Sequence, residues 1–349
     1  WIGSDLVLAG YIDRYNARIS PSGHQVRVQG RSKCEDIVDS HITGDQLHGM
    51  QMVTSSLLTL ATSLCAPYGV SVRSLTGDNV PLHAPNTPLA PLQFNAILTE
   101  TPWEIIERVA RYAGVLVYDD ADGNLVLANV ATSAHASGFA EGVNVQGAAV
   151  TYAMDGRFSD YLPVLMSVNF YGSGTGGSSF ARVYDKGVSD LTRADGKPRF
   201  RQRIVVSEQV TDHGYLAVRR AQWEMVRRVG QSQAVRLTCD NWRDGGDIDG
   251  KGRRLWEPNA TADVYLPALK LAPSEPWVIS EVTYSRDVQR GTVADLVLMP
   301  KEAFQPEPIV LTDFVYDPSQ SPASNVGAAA PDASSSPAGP NESSSPGVG

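Results

Sequence analysis

The residues that could carry chemistry are six histidines, three cysteines and several acidic or glycine-rich turns, and their spacing decides what each can do. His24, His41, His48, His83, His135 and His213 fall in no HxH, HExxH or Cys/His pattern, so no metal geometry is encoded. The densest acidic loop runs Asp244-Gly245-Gly246-Asp247-Ile248-Asp249-Gly250. Asp244, Asp247 and Asp249 are weak candidates for a divalent cation, set against a solvated hairpin loop as the simpler reading. In Asp119-Asp120-Ala121-Asp122-Gly123, aligning Gly123 with the sixth position of a calcium loop puts Tyr118 first and Asn129 twelfth. Two essential oxygen ligands are then missing, and a hairpin turn is the better reading. Gly172-Ser173-Gly174-Thr175-Gly176-Gly177 matches GxGxxG, but no amphipathic helix follows to receive a phosphate, and Ser178 stands where a P-loop needs lysine. There is no GxSxG elbow, and Asp212 and His213 sit at a helix start, where capping explains them. Glu104 and Glu107 share a helix face, yet Glu107 stands four residues before Arg111 and pairs with it on a solvated surface. No catalytic residue, cofactor or resident metal is expected.

The elements that would hold these residues follow from periodicity and punctuation. Leu6 to Arg18 and Gln25 to Gln29 read as strands joined by Ser20-Pro21-Ser22-Gly23, a hairpin. Ser32 and Glu35, three apart, predict a capping box for a short helix through Asp39. Leu57, Leu60, Ala61 and Leu64 recur at helical spacing, ended by Pro67 and Gly69. A second helix starts at Thr101 with Pro102 in its first turn and Glu104 completing a capping box. Trp103, Ile106, Val109, Ala110 and Ala113 are its expected apolar stripe. Residues 114–130 read as a hairpin.

From 143 onward the pattern is strand-rich, with strands at 143–154, 162–171, 200–210, 235–241, 263–266, 278–286 and 292–299, interrupted by a long helix over 212–230. That helix carries Arg219, Arg220, Arg227 and Arg228. Glu224 lies four residues from both Arg220 and Arg228, so pairing within the helix accounts for much of the cluster, with a subunit or partner contact as the alternative. The fold class is α+β, mainly antiparallel sheet.

Length and composition bound the rest. A chain of 349 residues with 42% hydrophobic and 19% charged residues holds two or three domains of ordinary globular make-up. The boundaries are placed to give 1–142, 143–312 and a low-complexity segment over 313–349. Of the 33 residues from Asp317 on, 25 are Ser, Pro, Ala or Gly, too few apolar groups to offset ordering entropy. A net charge of −9 argues against a nucleic-acid-binding surface. Cys34, Cys65 and Cys239 are odd in number and far apart, so they read as reduced thiols. No run of 18 apolar residues and no signal peptide appears, which predicts cytosolic folding without membrane insertion. Trp1 opens inside a strand-like run, so the native chain is expected to begin earlier.

The order of segments is more specific than any motif. Leu8-Ala9-Gly10-Tyr11-Ile12-Asp13, the hairpin ending Val26 to Lys33, and Glu35 to Asp39 come first. Leu64 to Val70, Arg157-Phe158-Ser159-Asp160-Tyr161, Leu255-Trp256-Glu257-Pro258-Asn259 and Val278 to Phe304 follow. Together, over about residues 5–305, they resemble the baseplate hub proteins of Mu-like contractile phage tails. The resemblance implies two β-barrel-like domains with added helices, the first without its N-terminal strands here. It also implies a homotrimeric ring between the tail tube and the central spike, similar in role to hubs of larger phages and type VI secretion spikes. Its partners would be the spike, the tube or tube-initiator protein and baseplate wedge proteins, in a virion tail assembled in the host cytoplasm. The rivals are a hub-associated cell-wall hydrolase and a host-glycan-binding tail protein, the latter using Trp223, Trp242, Trp256 or Trp277.

Overall fold

The computed structural model describes residues 1–42, 51–77, 82–84, 87–165, 181–207, 213–245, 253–271 and 276–309. Candidate residues Asp247 and Asp249, the glycine-rich 172–177 and the low-complexity segment fall outside them.

The hairpin forms as strands β1 (Gly10–Ser20) and β2 (Gly23–Ser32), antiparallel throughout with one bulge between Ile12 and Arg14. Helix α1 (Glu35–Asp39) follows, but without the expected capping box. Its N-cap is Cys34, and the Ser32 hydroxyl accepts the Cys34 N–H at 3.1 Å instead. The strand runs through Ser32, which leaves the serine two residues short of the capping position. Then come β3 (Gln51–Thr54), α2 (Leu57–Cys65), β4 (Val72–Ser74), β5 (His83–Ala84), β6 (Thr87–Asn95), α3 (Pro102–Ala113), β7 (Leu116–Asp119) and β8 (Leu125–Ala128). In α3 the capping box is present: Thr101 Oγ1 accepts the Glu104 N–H at 3.2 Å and Glu104 Oε2 accepts the Thr101 N–H at 2.9 Å. Its buried stripe is Pro102, Ile105, Ile106, Val109 and Ala110. The i, i+3, i+4, i+7, i+8 set is thus centred between Ile105 and Ile106, and the expected Trp103 and Ala113 lie on its flanks, partly buried. These helices and the sheets β3-β6-β5 and β4-β8-β7 enclose a first core, to which β8, buried at all four residues, contributes Leu125 and Leu127.

The second half begins with β9 (Ser133–Ala134), β10 (Phe139–Ala140), β11 (Val145–Tyr152), β12 (Asp160–Leu165), β13 (Val183–Tyr184), α4 (Lys186–Ser189) and β14 (Gln202–Ser207). It continues with α5 (His213–Gln231), β15 (Gln233–Cys239), β16 (Ala260–Ala262), β17 (Val264–Tyr265), β18 (Trp277–Asp287) and β19 (Gly291–Met299). A six-stranded sheet, β11-β15-β19-β18-β16-β9, is antiparallel except for the β9–β16 pair. It covers a second core around Trp256, Phe139, Ile279 and Leu298. The α+β, mainly antiparallel class therefore holds. Where barrels were expected, the sheets among the described residues are open: β11 and β9 end the large sheet without pairing to each other. β9 and β10 precede residue 142 yet pair with β16 and β17 of the second half. All three cysteines are buried and free.

Helix α5 packs on β12 and β14 and on the short turn at Lys301–Phe304. The approach there is close: a Cβ on Gly230 would lie 2.3 Å from the Ala303 nitrogen, an atom fixed by the backbone. Gly230→Ala should push α5 off that turn and lower unfolding free energy by about 1–3 kcal/mol in urea titration. An unchanged midpoint would show the contact to be slack.

Candidate functional site

Among the described residues, the sequence candidates Asp244 and Asp120 are occupied by structural work. Asp244 is 1% exposed and its carboxylate is fully engaged. Oδ1 accepts the Arg254 N–H at 2.9 Å, and Oδ2 faces the Ala136 N–H at 3.3 Å and His135 Nδ1 at 3.1 Å. His135 Nε2 accepts the Glu257 N–H at 3.3 Å, which leaves the ring proton on Nδ1, donated to Asp244. The imidazole is thus neutral, wedged edge-on against Trp256 with ring centroids 4.7 Å apart. Burial holds its pKa below the ordinary 6.5, with the nearby Arg254 charge acting the same way, and outweighs the opposing hydrogen bond to Asp244. No group of three metal-ligating side chains occurs among the described residues. Asp120 likewise spends its oxygens on its own turn, accepting the Asp122 and Asn124 N–H groups at 3.0 and 2.9 Å.

The four arginines of α5 separate into two kinds. Arg228 points into the chain, donating to Glu224 at 2.8 Å and to the Gly156 carbonyl at 2.9 Å. Arg220, 9% exposed, donates to the Pro308 carbonyl at 3.2 Å and lies 3.7 Å from Glu307. Glu224 therefore binds Arg228 and, from β14, Arg203, not Arg220. Arg227 lies over the Trp223 ring at 5.2 Å, and Arg219 is exposed.

Sequence reading missed the arrangement that organises this half, built on Arg157 to Tyr161. The guanidinium of Arg157 grips Asp185 with two bonds of 2.8 and 2.7 Å, both side chains largely buried. Tyr161 is fully buried and its hydroxyl accepts the Phe158 N–H. Around the Phe158 ring stand the guanidiniums of Arg201, Arg203 and Arg228, at 5.1, 5.5 and 5.3 Å. Three cations on one quadrupole are tolerated because Glu224 accepts from two of them and the Met154 and Asp155 carbonyls from the third. The result fastens α5 to β12 and β14. The signal available in sequence was a phenylalanine flanked by charge in an otherwise polar loop, which no spacing rule decodes.

What remains unspent is surface. The β1–β2 ribbon is exposed along nearly its whole length, and its register sorts its side chains cleanly. Tyr15, Ala17 and Ile19 lie across from Val28, Val26 and His24 on one face, with Ile12 continuing it beyond the bulge. Arg14, Asn16 and Arg18 lie across from Gln29, Arg27 and Gln25 on the other. On the apolar face Ile12 is 72%, Tyr15 65% and Ile19 85% exposed. Among the described residues the ribbon is held at its base. There Arg31 bridges Asp13 and Asp39 at 2.8 and 2.5 Å and holds both carboxyls below their usual range. Lys33 donates its N–H to the Ala9 carbonyl. The bulge crosses so tightly that a Cβ on Gly30 would meet the Tyr11 carbonyl oxygen at 2.2 Å.

Residues 34–129, which contain the first core, match the family model described as baseplate hub protein gp44-like, second domain. Residues 214–307, from α5 through β19 and the turn at Lys301–Phe304, match that of the Mu phage baseplate assembly protein GpP, fourth domain. The chain is 28% identical over 314 residues to baseplate hub protein gp44 of Escherichia phage Mu, covering 87% of this chain and 74% of that protein. The chain belongs to the Mu-like baseplate hub family. Among solved structures, the 43 kDa tail protein of prophage MuSo2 from Shewanella oneidensis superposes with a TM-score of 0.69 at 26% identity, covering 87% of this chain and 81% of that one. A tail protein from Neisseria meningitidis MC58 shares the fold at a TM-score of 0.61 and 18% identity, covering 86% and 82%. This hub protein has a structural role in the phage tail baseplate.

The neutral, buried His135 gives the hub a defined acid response. Because its folded pKa lies below its unfolded value, the unfolded chain takes up the proton first. The stability it contributes is complete above about pH 6.5 and is lost as pH falls from there through the folded value. Thermal melts of the protein should drop in midpoint across that interval, and His135→Gln should flatten this part of the profile. Parallel profiles for both proteins would remove His135 from the account.

Proposed function

We propose that the chain is a non-catalytic hub subunit of a contractile phage or phage-derived tail, forming a homotrimeric ring that joins the tail tube to the central spike and lets DNA pass. The observation that carries this reading is the β1–β2 ribbon. It presents an apolar face to solvent and, among the described residues, two unpaired edges, while the buried apolar side chains of the chain gather in two cores. A free two-stranded ribbon is marginal by itself and its edges invite pairing. A subunit that spends its life against neighbours tolerates both. Arg219 and Arg227 on α5 are the residues of the basic cluster best placed for a partner contact. The remaining partners follow from the same reading: the spike, the tube or tube-initiator protein and the wedge proteins, met in a virion tail assembled in the host cytoplasm. The domain division at 142 and 312 is kept as part of it.

The alternatives find less support. Glu104 is held in its capping box and Glu107 pairs with Arg111 at 2.9 Å, so these two carboxylates are not a free pair for glycoside hydrolysis. Trp256 and Trp277 are buried. Trp242 and Trp223 donate their indole N–H groups to the carbonyls of Val293 and Gln305, at 2.8 and 2.7 Å, so these four tryptophans line no common sugar-binding groove.

Native mass spectrometry of the purified chain tests the ring. The expected species has three times the 37.5 kDa mass of one chain. A chain that stays monomeric, alone and with its spike protein, contradicts the proposal.

A further inference from the structure

A second apolar face lies open elsewhere on the same chain. In the sheet β13-β12-β14, Leu162 and Val164 of β12 lie beside Ile204 and Val206 of β14, with Tyr184 of β13 on the same side. The opposite face, with Tyr161 and Val205, is covered by α5. On the uncovered face Tyr184 is 56%, Ile204 58% and Val206 51% exposed, while Leu162 and Val164 between them are half-buried. Soluble proteins seldom leave two such faces bare.

We infer that the apolar face of the β1–β2 ribbon packs onto the β12–β14 face of a neighbouring copy, so that one kind of contact repeats around the ring. This rests on the ring proposed above and names the surfaces that close it.

The dimensions agree. From Ile12 to Ile19 the ribbon's apolar face runs about 23 Å, and six residues of β12 or β14 run about 20 Å. Two such faces stack as sandwich layers about 10 Å apart, with Tyr15, Ile19, Val26 and Val28 filling against Leu162, Ile204 and Val206. Charge favours a second copy as the occupant. Gly10 to Ser32 hold four arginines and one aspartate, a net +3 in a chain of net −9, so the rest of each copy carries −12. A basic ribbon is drawn to an acidic body. Symmetry decides between the two ways copies could meet. Ribbon against ribbon would be isologous, would stop at two chains, and would leave the β12–β14 face bare on both. Ribbon against sheet is heterologous, covers both faces with a single contact, and closes into a ring when the rotation allows.

The test places p-benzoylphenylalanine at position 19 in the full chain. After irradiation, cross-linked peptides are mapped on a mixture of isotopically light and heavy chains, and the masses of Ile204→Asp and Ile19→Asp are measured alongside. Adducts between light and heavy chains within 160–165 or 202–207 are expected, together with loss of the three-chain species in both Asp variants at unchanged circular dichroism. A three-chain wild type whose adducts map elsewhere, including ribbon to ribbon or within one chain, overturns this contact and leaves the ring standing. A three-chain species that survives both Asp variants does the same. A monomeric wild type overturns the ring and the contact together.

Discussion

A two-stranded ribbon has no second layer of its own. Every other sheet among the described residues either backs onto helices or encloses a core, but β1 and β2 are exposed along nearly their whole length, with apolar side chains aligned on one face by the register of the hairpin. Register makes this unavoidable: the residue period in a strand is two, so once Tyr15 sits across from Val28, Ala17 and Ile19 must share its side. The bulge near Asp13 and the close crossing at Gly30 aim the ribbon, and the Arg31 clamp with Asp13 and Asp39 fixes its base. All of this is effort spent on presenting a surface, which is what a structural subunit of the baseplate needs.

The same economy governs Asp244 and His135, two of the residues whose types suggested chemistry. Asp244 and His135 are buried together, and each polar atom of the pair is matched to a backbone N–H or to the other partner. An unpaired carboxylate there would carry a large desolvation cost, so the site is satisfied rather than poised. Around Phe158 three arginines and one glutamate bind α5 to the small sheet whose other face is bare. At both places charged groups hold elements in position.

Local patterns were legible in the sequence wherever the deciding contacts were local. The first hairpin, the capping box of α3 and the long helix α5 all form close to where periodicity and turn residues put them. The box expected at Ser32 and Glu35 failed because the strand pairing of β2 extends through Ser32, a tertiary preference that a four-residue motif does not contain. The stripe of α3 was read one position off its centre, since Trp103 looks as apolar as Ile105 until the packing is known. The His135–Asp244 pair joins residues 109 apart and the Phe158 cluster gathers side chains from β14, α5 and two loop positions, so neither leaves a spacing to read. The open sheets among the described residues, in place of barrels, belong to the same class of long-range outcome. Family likeness, carried by the order of landmarks, reached further than any single motif.

The central claim is that this hub protein is built to be completed by copies of itself. Single-particle electron microscopy of the purified protein tests it directly. The account predicts closed three-fold particles with a central opening, each ribbon lying across the adjacent subunit. Isolated single-chain particles with the ribbon projecting into solvent, or two-fold dimers, would contradict it.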